Sequence, residues 1–530
     1  MNRLTRQAAI ALAAAALVLT GCSSTDDDPK QEGVPAGFAN GWVVDPDDSG
    51  SPSQGGTLQV VTYSEARSLD PAETIANGSS GGTEMAAVYD LLVRYDEASK
   101  EYVPQLAESI EANDDSTVWT LTLREGVTFS DGTPLDAAAV VWSLERYIAN
   151  RGGQVSILDH AVDTFEATDD LTVTFTLANP WPGFPYLLAT GPGMIVAQAS
   201  DAKPDEFTPI GAGPFVFDHY SPQEELVLTA RADYWGGAPN LEALRFFPLA
   251  VEQGRLDVLQ SGEADVAYLR EGVTALDAIE AGFGGFMEIG SISRGLLLNH
   301  SQDSATGDVR IRQAIAHAIN PDLYNERTAD GLAIMSSRIV TDLSEWDIET
   351  PGIEFDRDKA KELLDAAKAD GYDGKISFKG VAKVSEKSGL AIKALLEDVG
   401  FTVSLDYVSS VSDLVADIYV KQDYDMVIWG FGMPDAAIYP ELFEKVYSSS
   451  SSNIGKSNDP ELDALILELG AADSAEDQTA ALEKIQAQWN ETVPYISLGA
   501  TPEWNAWGDG VHGVVPSIDS IMLYGDAWKE

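Results

Sequence analysis

Cysteine is nearly missing from this sequence: Cys22 is the only one in 530 residues. No disulfide can close within the chain, and a cysteine-based metal site is excluded. Histidine is scarce too. His160, His219, His300, His317 and His512 are scattered without ligand spacing, so no metal and no cofactor is expected. Basic residues are few: 33 Lys and Arg stand against 85 Asp and Glu, a formal charge of −52. A field of that sign repels nucleic acid and anionic lipid, so neither is expected as a partner. The surplus of acids also makes chance carboxylate pairs common, which weakens any such pair as a sign of catalysis. Beyond the amino terminus no apolar run approaches membrane-spanning length.

The single cysteine is explained by its neighbours. Arg3 and Arg6 open the chain, and an apolar run follows from Ala8 to Thr20, too short to span a bilayer but suited to a signal-peptide core. Leu19-Thr20-Gly21-Cys22 resembles a bacterial lipobox, so residues 1–21 are expected to be cleaved and Cys22 to carry the lipid. Residues 22–54 are rich in Ser, Asp, Gly and Pro and read as a flexible tether. Phe38, Trp42, Val43 and Val44 interrupt it and suit docking on the body.

With 44% apolar and 22% charged residues the remainder is an ordinary globular composition, long enough for two or three domains. Its pattern is α/β. Gly55-Gly56-Thr57-Leu58-Gln59-Val60-Val61-Thr62-Tyr63 reads as a strand, and Trp119 to Arg124 and Leu171 to Leu177 alternate as strands do. Thr133 is expected to cap a helix carrying Val140, Val141, Leu144 and Tyr147, and Asp308 to cap one carrying Val309, Ile311, Ile315 and Ile319. Met426-Val427-Ile428-Trp429 is an unbroken apolar run, expected to be a strand buried on both faces of a parallel sheet. Gly430-Phe431-Gly432-Met433-Pro434-Asp435 then turns the backbone past its carboxyl end, where ligands of open α/β sheets sit.

These pieces resemble the family 5 extracellular solute-binding proteins of bacterial ABC importers, the group that includes dipeptide, oligopeptide and nickel binders. The residues that carry the resemblance are Gly55-Gly56-Thr57-Leu58 with Leu69-Asp70-Pro71, then Leu123-Arg124-Glu125-Gly126-Val127-Thr128-Phe129-Ser130-Asp131-Gly132-Thr133. Gly211 to Phe215, Asp233-Tyr234-Trp235 and Asp308-Val309-Arg310-Ile311-Arg312-Gln313-Ala314-Ile315 follow in the same order. The resemblance implies a two-lobed clam of the type II periplasmic-binding-protein kind. Lobe I would comprise residues 55–90, 205–295 and 495–530, with an inserted subdomain at 91–204, and lobe II would be residues 296–494. It also implies a monomeric receptor, lipid-anchored on the outer face of the cell membrane. Such a receptor hinges shut on a small solute (peptide-like or other) and passes it to the permease subunits of an importer.

The residues expected to line the cleft are Trp429, Phe431, Gly432 and Asp435 past the buried strand, Tyr63 past the first strand, Arg294, and Trp504 after the last; Trp507 is a further aromatic there. Aromatic faces and a few fixed charges are what a small-molecule site needs, and Arg294 suits a charge-assisted bond. Peptide binders of this family tend to carry an Asp three residues after that Trp, to pair with the peptide amino terminus; here the position is Gly432. Either the ligand lacks a free amino terminus or a different acid meets it, because an unpaired ammonium in a dry cleft costs several kcal/mol. Two other readings remain: a secreted lipoprotein hydrolase, and a sensor or adhesin on the same fold. Gly78-Ser79-Ser80-Gly81-Gly82 has the spacing of a nucleophile elbow but follows no buried strand. No catalytic residue is expected.

Overall fold

The computed structural model describes residues 34–44, 50–203, 206–290 and 294–530. The leader and Cys22 lie outside them. Among the described residues no helix is long and apolar enough to cross a membrane.

Lobe I is built on an eight-stranded sheet. Across it run Gly41–Val44, Gly284–Glu288, Glu503–Trp507, Val266–Leu269, Thr57–Thr62, Ala243–Pro248, Glu225–Ala230 and Phe215–Ser221. Thr57–Thr62 is parallel to both of its neighbours, and the outer pairs are antiparallel. The first of these strands comes from the expected tether. Trp42 meets Phe286 and Trp507 edge-on at 5.4 and 6.0 Å, so burial of one indole holds the segment on the sheet.

The inserted subdomain has its own antiparallel sheet, in the order Ala107–Ala112, Val118–Leu123, Thr172–Leu177, Val162–Ala167. Trp119, Leu121 and Leu123 alternate inward and pack with Phe175 and with Val140 and Leu144 of helix Ala137–Ala149. The cap of that helix differs from expectation. Asp136 accepts from the Ala139 amide at 2.8 Å, while the Thr133 hydroxyl bonds Asp131 in the turn before it. Asp308 caps helix Val309–Ala318 as its position suggests, through the Arg310 amide.

Lobe II holds a five-stranded sheet in the order Thr402–Val408, Lys375–Val381, Met426–Gly430, Arg294–Leu298, Tyr495–Ser497. Met426–Gly430 is buried at its start, but the sheet is mixed and not parallel: this strand runs parallel to Lys375–Val381 and antiparallel to Arg294–Leu298. Tyr495–Ser497 also pairs here, with Gly295 to Leu297, and so belongs to the lobe II sheet although 495–530 is the lobe I range in the sequence reading.

Two neighbouring connections join the lobes, one after Glu288 and one before Glu503. They are bonded to each other on the lobe II side: the Leu498 amide donates to the Arg294 carbonyl at 3.0 Å and the Arg294 amide to the Gly499 carbonyl at 3.3 Å. Gly499 has φ +86°, and a Cβ there would stand 2.2 Å from the Ile334 carbonyl oxygen, so only glycine lets the return strand pass. The lobes are in contact across the cleft. The Tyr102 hydroxyl donates to the Ala436 carbonyl at 3.3 Å, and the Ile157 amide to Glu444 Oε1 at 3.0 Å.

Candidate functional site between the lobes

Parallel strands deliver their carboxyl ends to one edge of lobe I, and that edge faces lobe II. Tyr63 follows Thr57–Thr62 and is 41% exposed, with the guanidinium carbons of Arg270 and Arg255 5.2 and 5.6 Å from its ring centre. Arg255 is buried and fully bonded, to the Tyr268 and Leu249 carbonyls and to Glu252. Arg270 has no such set. Its Nε is buried without an acceptor, and no carboxylate pairs with it among the described residues.

Register puts acids beside Arg270. Glu288 lies directly opposite Glu503 in the antiparallel pair, so both side chains leave the same face. Tyr268, on that face, is buried, and burial and then Glu503 push its hydroxyl well above its ordinary value. Glu288 accepts the Ser520 amide and hydroxyl at 2.5 and 2.8 Å, yet burial, Glu503 and Glu97 together push its carboxyl up to about 8. Asp519 is pushed well above the carboxylate range by burial first, then by Glu441, Glu288 and Glu503. Glu441, from lobe II, is raised to about 7 by burial, with Lys445 opposing.

On the lobe II side Trp429 is half-buried, and the Tyr419 ring meets it at 6.1 Å in a tilted, edge-on manner. Lys445 senses Glu441, Tyr419 and Asp519, which links this aromatic pair to the acids of lobe I. A cavity of about 180 Å³ lies between the lobes, lined by Tyr95, Glu97 and Lys100 of the inserted subdomain, Glu288 of lobe I, and Glu345 and Asp435 of lobe II. Another cavity, of about 600 Å³, lies wholly in lobe II and shares none of these residues.

The residues singled out from the sequence separate into groups. Trp429 lies one residue before the end of Met426–Gly430, and Tyr63 directly follows Thr57–Thr62. Gly432 is exposed with φ +41°, and open space surrounds the position of a Cβ. Asp435 lines the interlobe cavity, but its carboxylate accepts the Ser344 hydroxyl and the Glu345 amide at 2.7 and 2.8 Å, and so fastens that loop. Arg294 is opposite Gly430, hence on the face of the lobe II sheet away from Trp429; burial and then the like charge of Arg270 push its guanidinium down. The structure therefore does not bring Arg294 and Trp429 together. Phe431 is sealed inside lobe II, with Tyr495 4.4 Å and Trp489 6.1 Å away, both edge-on. Trp504 is fully buried beside Leu269 and Met287, on the opposite face from Glu503. Trp504 packs as core because strand alternation turns it from the gap, whereas Phe431, past the end of Met426–Gly430, is folded back into the lobe II core. Trp507 is buried against Trp42.

Sequence reasoning missed Arg270, Glu288, Glu503, Asp519, Glu441, Tyr419 and Lys445. For Arg270 the signal was present, since it follows Val266–Leu269 as Tyr63 follows Thr57–Thr62. The Ser80 hydroxyl donates to the Ile75 carbonyl at 2.9 Å, and the Gly78–Gly82 turn holds no base. Among the described residues no group of His, Cys, Asp and Glu could hold a metal ion.

Residues 101–452 match the family described as "Bacterial extracellular solute-binding proteins, family 5 Middle". The chain belongs to this family. Its members are substrate-binding proteins of ABC importers and not enzymes. The chain is similar to the glutathione-binding protein GsiB of Pectobacterium atrosepticum, 26% identical over 488 residues that cover 88% of this chain and 93% of the relative. Among solved structures, the periplasmic binding protein DppA from Helicobacter pylori in complex with peptide STSA superposes with a TM-score of 0.77 at 22% identity, covering 90% of this chain and 99% of that one. NikA from Brucella suis in complex with Fe(III)-EDTA gives 0.73 at 23%, covering 90% and 100%. At these identities the structures establish the fold, type II periplasmic-binding-protein-like, and no more.

Proposed function

We propose that this chain is the lipid-anchored receptor of an ABC importer, held outside the membrane through Cys22, and that it closes on a small organic solute carrying a cationic group. The observation that carries the cationic preference is the charge of the gap. Glu288, Glu441, Glu503 and Asp519 on its inner side, with Glu97, Glu345 and Asp435 at the cavity, outnumber the cations named beside them, Lys100, Arg270, Arg294 and Lys445. Acids from both lobes would meet the ammonium that Gly432 leaves unattended, and Arg270, with a vacant donor, would take an anionic group on the same solute. Peptides, which relatives of this chain bind, have both ends. Closing a mostly open population requires roughly 5 kcal/mol of differential binding, within reach of a stacked indole and several charge-assisted bonds. Delivery to permease subunits, and the monomeric state, belong to the same reading.

Calorimetric titration with short peptides and their amino-acetylated forms tests it. Free-amino peptides should bind at least tenfold more tightly than acetylated ones; equal affinity would remove the cationic reading. Trp429→Ala should weaken binding by about 1–3 kcal/mol, as loss of one aromatic contact to a ligand does, with little change in Tm. A lowered Tm with unchanged affinity would instead make Trp429 a core residue.

A further inference from the structure

A second cavity, of about 220 Å³, lies on lobe I outside the gap between the lobes. Leu69, Phe207, Phe217, Leu226 and Phe246 form its walls, and Glu84 reaches it from helix Gly82–Tyr89. Every residue of that helix is buried, and Glu84 itself is 3% exposed. Its Oε2 has no hydrogen-bond partner. An ionisable group placed so must be met by something, because a carboxyl left alone in apolar surroundings costs a few kcal/mol.

The rim explains what can enter. Phe217 and Tyr220 are 38% and 43% exposed beside the opening. The other rim acids are committed: Glu65 accepts the Tyr220 hydroxyl and the Gln223 amide, each at 2.7 Å, and Glu225 is held by Arg245 and His219. Arg67 is exposed at the rim and free to turn to solvent. Among the acids of this cavity Glu84 is therefore the one left for a guest, in a protein whose field draws cations.

We propose that this cavity is a second binding site, for a compact primary ammonium with an aryl or short alkyl body, whose charged head bonds Glu84 while its body fills the space between Phe207, Phe217 and Phe246. The volume suits such a molecule, since apolar cavities of about 150 Å³ admit benzene. Burial pushes the Glu84 carboxyl up to about 7, so an arriving ammonium would displace its proton to solvent and pair with the carboxylate left behind. The site shares no residue with the interlobe gap and stands whether or not that gap takes a cation.

Benzylammonium, titrated into the full-length protein and followed by amide NMR, tests the assignment. Resonances of Phe217, Leu226 and Phe246 should shift saturably, and Glu84→Gln should weaken that binding at least tenfold while the fold, checked by circular dichroism, is kept. Trp429→Ala should leave these shifts in place. The proposal is overturned if the shifts appear only at residues of the interlobe gap, if benzyl alcohol binds this cavity as tightly as benzylammonium, or if Glu84→Gln binds like the wild type. Should Glu84→Gln fail to fold, Phe217→Ala serves in its place and should weaken the same binding severalfold; undiminished binding there also overturns the proposal.

Discussion

Arg146→Met is expected to destabilise the protein by about 3–5 kcal/mol, the usual consequence of stranding one partner of a buried ion pair. The guanidinium forks onto Asp70, Nη1 to Oδ1 at 2.8 Å and Nη2 to Oδ2 at 2.6 Å, and its Nε bonds Asp201 at 2.6 Å. Its side chain is 9% exposed and that of Asp70 is 6%. Methionine fills similar space and packs on Phe207, now 5.0 Å from the guanidinium carbon, but leaves the Asp70 carboxylate with only the Ala72 amide. The double variant Arg146→Met, Asp70→Asn should recover much of the loss, because it removes the stranded charge. Urea unfolding of the two single variants and the double supplies the cycle; additive losses would show that the pair is not coupled. The pair matters to function because Asp70 belongs to lobe I and Arg146 to the inserted subdomain, whose Tyr102 and Lys100 form one wall of the gap.

Much of this architecture is legible in the sequence, for reasons that can be named. Trp119, Leu121 and Leu123 alternate because one face of their sheet is buried and the other wet, and that contrast is a local property. Asp308 reads as a cap because capping needs only a short side chain and the next amides. The position of Trp429 near a strand's end is equally local.

What fails is whatever register decides. Arg294 and Trp429 each sit beside a turn, but pairing of Arg294 with Gly430 sends them to opposite faces, and a one-residue slip would have united them. Trp504 and Glu503 are neighbours in sequence and on opposite faces in space. The acids of the gap come from the end of one strand, the start of another, a turn near the carboxyl terminus and a lobe II helix. With 85 acids in the chain, nothing marks those four before topology assembles them.

The assembled acids make solute affinity pH-dependent, and the sign follows from their protonation. Without solute, Glu441 and Glu288 hold protons up to about pH 7 and 8, against an ordinary value of 4.5. A bound ammonium favours their ionised forms, so binding below those values must release protons. Affinity for a solute whose amine stays charged throughout, such as a peptide bearing a lysine side chain, should therefore rise between pH 6 and pH 8.5, by up to about tenfold per unit for each proton displaced. Titrations at pH 7 in buffers of different ionisation enthalpy should show net proton release. Stability moves the other way. The folded solute-free protein binds more protons than the unfolded chain between pH 4.5 and 8, so these groups erode stability as pH climbs through that window. Glu288→Gln, which mimics the protonated acid and keeps an acceptor for Ser520, should raise Tm relative to the wild type at pH 8 and leave it nearly unchanged at pH 5. The same variant should bind a cationic solute about tenfold more weakly at pH 8.5, with a flatter pH profile. Wild-type affinity that is level, or falls, from pH 6 to 8.5 would show that these carboxylates do not face the solute's charge.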